Sequence, residues 1–172
     1  MADKKNKNRK LTRTDRSKIY KLKKQPNAIS KNTYIPKGLN SADRERRLNM
    51  IRSCVEAHEE FYCPAIGNKV AISKRTVDNF REKSALCEKS TRAALDIRNI
   101  LQSATYILCD KPKKSKSQKN YINMHILICP IKGIGYVKVT IGEHSPTDKT
   151  NVASTPYALY SVLAISLHRL KS

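Results

Sequence analysis

The chain has 172 residues, which is enough for one ordinary domain with a tail and too few for two full domains. It carries 35 Lys and Arg residues against 14 Asp and Glu residues, and its formal net charge is +21 at pH 7. This charge excludes the acidic or neutral surface of an ordinary cytosolic enzyme and indicates a polyanionic partner, most often RNA or DNA.

The first 40 residues form a strongly basic segment. They contain thirteen Lys or Arg residues against Asp3 and Asp15, so about half of the net charge lies in less than a quarter of the chain. Large apolar residues are too sparse between Lys4 and Lys24 to offset an ordering cost of roughly 1–2 kcal/mol per residue. We therefore predict a disordered basic arm over residues 1–40 that binds a phosphate backbone, although a solubilising tail without a specific partner would have the same composition. The candidate contacts in the arm are Lys4, Lys5, Lys7, Arg9, Lys10, Arg13, Arg16, Lys18, Lys21, Lys23 and Lys24.

Helical spacing dominates the middle of the chain. Ser41 can cap a first helix, in which apolar residues recur at spacings of three and four from Leu48 through His58 to Phe61, and Pro64 ends it. A short alternating strand and a short helix follow, and Ser90 or Thr91 caps a further helical segment. These predicted elements cover residues 41–63, 69–73, 76–83 and 90–101.

From Thr105 onward the spacing changes to a period of two. Ile122, Met124, Ile126 and Ile128 give one predicted strand a fully apolar face. The predicted strands cover residues 106–109, 122–129, 136–141 and 157–165. Helices followed by strands in this order predict an α+β fold, a single domain over residues 41–172 with N-terminal helices packed on one face of a four-stranded antiparallel meander.

A second basic cluster lies between the first two strands of the predicted meander. It contains Pro112 and three polar residues but no apolar residue, which indicates a loop. The arm and this loop would make two separate contacts with a polyanion. The candidate phosphate contacts in the loop are Lys111, Lys113, Lys114, Lys116 and Lys119.

Three stretches of the chain resemble a known family. Residues 69–77 (KVAISKRTV), 92–104 (RAALDIRNILQSA) and 131–142 (IKGIGYVKVTIG) together look like a domain attached to the large polyvalent proteins of phages and conjugative elements. The resemblance covers about residues 69–165 and implies a compact nuclease-like fold of the barnase, EndoU, colicin and RelE class. Residues 79–84 (NFREKS) lack the His that the group often has on this helix, so the resemblance does not by itself imply an enzyme.

The predicted sheet also carries candidates for acid–base chemistry. If the apolar face of residues 122–129 packs on the helices, then His125, Lys138 and Tyr160 project from the open face. Metal-free RNA cleavage needs a base, an acid and a cation, and these side chains are of the right types. Period-two strands also place polar residues on their solvent side for solubility alone. Binding without catalysis is therefore the main interpretation, a metal-independent ribonuclease is one alternative, and a virion or conjugation component that docks on another protein is the second.

The sequence predicts no metal site and no cofactor. Cys54, His58 and Cys63 lack a fourth ligand, and the glycine-rich phosphate motifs and the HExxH zinc motif are absent. Residues 157–167 are too short and too interrupted an apolar stretch to span a bilayer, so no membrane partner is expected. No apolar run follows the basic N-terminus, so we expect no secretory signal and a location in the cytoplasm of a bacterial host or inside a virion.

Overall fold

The computed structural model describes residues 11–166, which form an α+β fold. Its helices are α1 (Arg13–Tyr20), α2 (Ser41–Cys54), α3 (Val77–Ser84), α4 (Glu88–Leu95) and α5 (Ile97–Ser103), with a short 3₁₀ helix at Ile29–Asn32. Its strands are β1 (Glu60–Cys63), β2 (Asn68–Ala71), β3 (Thr105–Asp110), β4 (Tyr121–Ile131), β5 (Gly135–His144) and β6 (Tyr157–Ile165). None of the helices in this part of the chain is long and apolar enough to cross a bilayer.

The strands form one sheet in the order β1-β2-β6-β5-β4-β3. The four strands from β3 to β6 lie antiparallel to their neighbours and in chain order. The sheet has six strands rather than the predicted four, because β1 and β2 form an additional antiparallel hairpin. This hairpin joins β6 through a single parallel pair, Ala71 with Ala158.

The first predicted helix is too long. α2 ends at Cys54, and residues 58–63 turn back to pair with the strand that follows. His58 has a positive φ of 71°, and its N–H donates to the carbonyl of Ile72 at 2.7 Å. The spacing of His58 and Phe61 fits a helix. In the structure, the backbone N–H and C=O groups of this segment instead form hydrogen bonds with residues 68–72.

Helix α3 lies along the part of β6 that β2 leaves unpaired. Ser84 donates its hydroxyl to the carbonyl of Val162 at 2.9 Å, and Ser90 of α4 accepts from the N–H of Ala164 at 2.9 Å. These hydroxyls take the place of a neighbouring strand's backbone groups. As a result, the side chains at the end of α3 are held beside β6.

The two faces of the sheet are covered by different helices. Leu127, Val139 and Ile141 belong to the main core together with buried residues of α2, α3, α4 and α5, such as Ile51 and Phe80. The prediction that Ile122, Met124, Ile126 and Ile128 face these helices is therefore wrong. Leu127 and Cys129 of β4 are also apolar, and the register with β5 turns them toward the helices, where they are buried.

The described part of the arm contains helix α1. α1 begins with a capping box, in which Asp15 N–H donates to Thr12 Oγ1 at 3.1 Å and Thr12 N–H donates to Asp15 Oδ2 at 2.9 Å. Ile19 is buried against Leu108 and Ile128, on the sheet face opposite the other helices. The composition from which we predict disorder is a local property, and it does not contain the contacts of Ile19 with apolar side chains of distant strands.

Candidate nucleic-acid interface

A cleft of about 380 Å³ opens on the sheet face opposite α2–α5. Its floor consists of side chains from β4, β5 and β6, and its rim includes Leu11 before α1, the loop after β3, and Lys83 of α3. We call this the sheet cleft. It brings together elements from both ends of the described chain, because α1 and β6 both lie against the central strands.

Four lysines line the sheet cleft, with Asp110 as the acidic residue among its lining groups. Lys83 comes from α3, Lys111 and Lys113 come from the loop, and Lys138 comes from the middle of β5. Burial lowers the pKa of Lys138, the charges of Lys113 and Lys83 lower it further, and Asp110 acts in the opposite direction. The cleft is therefore an electropositive depression in which one ammonium group is half-buried.

Tyr160 connects three parts of the cleft. Its hydroxyl accepts a hydrogen bond from Lys83 Nζ at 2.9 Å and lies 2.8 Å from the hydroxyl of Ser117 in the loop. Burial alone would raise the pKa of Tyr160, but the hydrogen bonds from Lys83, Ser117 and Gln118 and the positive charge of Lys83 lower it to about 8. The cleft thus contains a phenol whose pKa lies well below that of an ordinary tyrosine.

Several polar groups on the floor of the cleft have no hydrogen-bond partner within residues 11–166. The ammonium of Lys138 makes no ion pair or hydrogen bond there, and the hydroxyls of Thr140 and Ser161 make none either. Both residues are nevertheless buried, because the exposed fraction is 7% for Thr140 and 5% for Ser161. These groups keep their hydrogen-bonding capacity for something that enters the cleft.

Two of the candidate phosphate contacts, Lys111 and Lys113, line this cleft. A third, Arg16 of α1, donates to the carbonyl of Leu11 at its rim. The remaining described candidates are exposed on α1, after it, or on the loop: Arg13, Lys18, Lys21, Lys23, Lys24, Lys114, Lys116 and Lys119. The candidates Lys4, Lys5, Lys7, Arg9 and Lys10 lie outside the described residues.

The three predicted catalytic residues do not meet. Lys138 and Tyr160 both line the sheet cleft, but His125 lies on the other face of the sheet. The register explains this, because His125 pairs with Ile141 of the main core, whereas Lys138 pairs with Ile128. The expectation that they share a face was wrong for the same reason as the assignment of the apolar face.

His125 instead belongs to a polar cluster at the end of the helix-covered face. Its Nε2 lies 2.7 Å from Glu143 Oε2, and its Nδ1 lies 2.9 Å from the hydroxyl of Tyr106. Asn123 donates to the same carboxylate oxygen at 3.0 Å. Burial raises the pKa of Glu143, but the hydrogen bonds from Asn123 and His125 outweigh it and lower that pKa. These contacts orient His125 on the face of the sheet opposite the cleft.

A second histidine, His144, is buried beside the cleft region. Its Nδ1 lies 2.8 Å from Asp148 Oδ2, while its Nε2 is buried and has no hydrogen-bond partner within the described residues. Tyr121 packs on it with ring centroids 4.8 Å apart. His144 is the last residue of β5.

Lys83, Ser117 and Ser161 were missed as site residues by sequence reasoning. Lys83 is one of several charged residues on a predicted short helix, and only the packing of α3 along β6 brings it to Tyr160. Ser117 lies within the basic loop, where the lysines gave the stronger signal. Elsewhere in residues 11–166, no three side chains of the His, Cys, Asp and Glu types gather in a way that could hold a metal ion.

Comparison with known proteins gives one match. The model of a family described as large polyvalent protein-associated domain 3 matches residues 42–152. The matched residues include α2 to β5 and contain Lys83, the basic loop and Lys138, but not α1 or β6. No curated protein and no solved structure matches the chain significantly.

Proposed function

The chain belongs to the large polyvalent protein-associated domain 3 family, and from this premise we propose that it is a nucleic-acid-binding protein of a phage or mobile genetic element. The match agrees with the resemblance seen in the sequence and covers more than half of the chain. The ligand is RNA or DNA, bound through its phosphate backbone. The proposed location is the cytoplasm of a bacterial host or the interior of a virion.

One observation carries this proposal, the convergence of two basic segments at one cleft. Lys111 and Lys113 of the basic loop line the same depression as Leu11, which lies two residues before the basic helix α1, although about 100 residues separate them in the chain. Lys83 and Lys138 extend the positive charge from the rim to the floor. Solubility alone requires dispersed charge, whereas a concentration of cations in a concave surface favours a polyanion.

A metal-independent ribonuclease is the second candidate, and the low pKa of Tyr160 is the observation that favours it. General acid–base groups work best when their pKa lies near the operating pH, and the pKa of Tyr160 is lowered to about 8 by its hydrogen bonds. Lys83 and Lys138 could stabilise negative charge on a phosphate in the same cleft. His125 does not contribute to this version of the chemistry, because it lies on the other face.

The experiment is a titration of labelled RNA and duplex DNA at several salt concentrations, scored for both binding and cleavage without added metal. The wild type is compared with a loop variant, Lys111→Ser/Lys114→Ser/Lys116→Ser, and with a control of equal charge, Lys74→Ser/Lys89→Ser/Lys132→Ser. The control lysines are exposed and do not line the cleft. For duplex DNA, each phosphate contact that is lost should reduce the salt slope by about 0.9.

We expect the loop variant to bind more weakly with a shallower salt slope, and the control to keep most of the slope. Equal losses in the two variants would indicate a general charge effect and contradict a site at the cleft. Absence of binding at physiological salt would overturn the proposal and favour a component that docks on another protein. Cleavage that disappears in Tyr160→Phe, with binding retained, would promote the ribonuclease candidate.

A further inference from the structure

The floor of the sheet cleft is divided into an apolar half and a polar half. On the side of β3 and β4 its lining includes Ile126, which is partly exposed, above the buried side chains of Leu108 and Ile128. On the side of β5 and β6 it presents Lys138, Thr140 and Ser161, with the apolar Leu163 beside Lys138. The strand register puts these halves in direct contact, because Lys138 pairs with Ile128, and Thr140 pairs with Ile126 on one side and Ser161 on the other.

The polar half is incompletely satisfied by the protein. Lys138 is half-buried, and neither its ammonium nor the hydroxyls of Thr140 and Ser161 bind another described residue. A half-buried cation without a direct ion pair is unfavourable, and an anion that accepts its hydrogen bonds would reduce that penalty. Lys83, held beside Tyr160 at 2.9 Å, adds a second cation at the same end.

The apolar half of the floor suits an apolar part of a ligand whose anionic group lies on the polar half. Aliphatic side chains offer a surface for the flat face of a base but no partner for a phosphate. The volume of about 380 Å³ lies in the range of roughly 300–1,000 Å³ that is usual for small-ligand sites. A nucleotide has both an apolar face and an anionic group, linked at a short fixed distance.

Resting on the proposed function, we propose that the sheet cleft binds one unstacked nucleotide of a single-stranded nucleic acid. The base lies against Ile126, a partly exposed aliphatic side chain of the floor, and the phosphate lies on Lys138 and Lys83. In a duplex the faces of the bases are covered by their neighbours, so a duplex presents only phosphates and base edges. A duplex can therefore contact the lysines on the rim, while the floor of the cleft selects for a single strand.

The test compares a fluorescent single-stranded oligonucleotide with the duplex of the same sequence at one fixed salt concentration. The floor variants are Lys138→Met, which removes the charge and keeps the chain length similar, and Thr140→Val, which removes a hydroxyl and keeps the shape. Lys138→Arg retains the charge as a rescue. The control is Lys132→Met on the exposed turn after β4, and thermal unfolding verifies that every variant folds.

We expect Lys138→Met to weaken single-strand binding about tenfold, the usual size of a lost hydrogen bond to a charged group, and to change duplex binding less than about twofold. Thr140→Val should weaken single-strand binding in the same selective way by about threefold. Lys138→Arg should restore most of the affinity, and Lys132→Met should change both affinities equally.

Three results would overturn the inference. The first is equal loss of single-strand and duplex binding in Lys138→Met, and the second is no loss in either floor variant while the loop variant still weakens both ligands. In both cases the nucleic-acid-binding function stands and only the nucleotide site is wrong. The third is absence of binding of both ligands by the wild type at physiological salt, which removes the proposed function and the inference with it.

Discussion

The ammonium of Lys83 donates a hydrogen bond to the phenolic oxygen of Tyr160 at 2.9 Å and lies 4.0 Å from the centre of its ring. This contact joins α3 to β6 at the edge of the sheet cleft. It exists because hydroxyl groups of α3 and α4 hold those helices against the unpaired side of β6. The same contact lowers the pKa of Tyr160, so a pH titration of the phenol reports on the contact in solution.

We expect Tyr160 to ionise near pH 8 in the wild type and at a pH above that in Lys83→Met. Burial would then raise the pKa of the phenol without the opposing hydrogen bond and charge. The measurement is a pH titration of tyrosinate absorbance, with Tyr160→Phe to identify which of the eight tyrosines is responsible. An early titration step that is identical in wild type and Lys83→Met would contradict the prediction.

The same ionisation predicts a dependence of stability on pH. The pKa of Tyr160 is lower in the folded state, about 8, than the ordinary value of about 10, so the folded protein binds fewer protons between these values. Its stabilising contribution is full above pH 10 and is lost as the pH falls through 8. The stability difference between wild type and Tyr160→Phe, measured by urea unfolding, should therefore shift in favour of the wild type as the pH rises from 8 to 10.

Asp148 predicts a second effect, in acid. Hydrogen bonds from the hydroxyl and N–H of Thr150 and from His144 lower the pKa of Asp148 to about 2. Its contribution is present above the ordinary pKa of about 4 and is lost as the pH falls toward 2. The stability difference between wild type and Asp148→Asn should therefore shrink as the pH falls from 5 to 2, and a difference that stays constant over this range would contradict the assignment.

Arg47 of α2 is fully buried and holds the last residues of the arm. Its guanidinium donates to the carbonyls of Ala85 at 2.8 Å, Pro36 at 2.9 Å and Gly38 at 2.6 Å. We expect Arg47→Met to reduce the free energy of unfolding by about 3 kcal/mol, because these buried carbonyls lose a charged donor. The exposed neighbour Arg46 is the matched control, and Arg46→Met should cost less than about 0.5 kcal/mol by the same urea measurement.

Ile19 determines whether α1 stays on the sheet. It is 1% exposed against Leu108 and Ile128, whereas Tyr20, next to it, is 51% exposed. We expect Ile19→Ala to release α1 and to increase the rate at which trypsin cleaves after Lys18 and Lys21 about tenfold, while Tyr20→Ala leaves that rate nearly unchanged. Equal rates in the two variants would show that Ile19 does not hold the helix.

His125 provides a negative prediction for the cleft. Because it lies on the opposite face and is oriented by Glu143 and Tyr106, His125→Ala should leave single-strand affinity within about twofold of the wild type. The binding titration described above measures this directly. A large loss of affinity, or of any cleavage activity, would show that nucleic acid also contacts the helix-covered face.

Much of the fold follows from local patterns in the sequence. The alternation of residues 122–129 predicts a strand, and the run of lysines with Pro112 predicts the loop before it. Both predictions hold, as β4 and the segment after β3. Local patterns failed where the same residues fit both a helix and a strand. The spacing of His58 and Phe61 fits a helix, but Phe61 pairs with Val70 of β2, and the N–H of His58 donates to the carbonyl of Ile72 just after that strand.

The sequence by itself determined the charge, the family, the α+β class and the strands from β3 to β6, because composition and periodicity are properties of neighbouring residues. Only the tertiary structure decided which residues share the cleft. Both faces of β4 carry apolar residues, so its own sequence does not decide which face lies under the helices. The register with β5 decides it, because it pairs Lys138 with Ile128 and His125 with Ile141. In the same way, Ile19 and Lys83 acquire their roles from strands far away in the chain, and no local pattern contains that information.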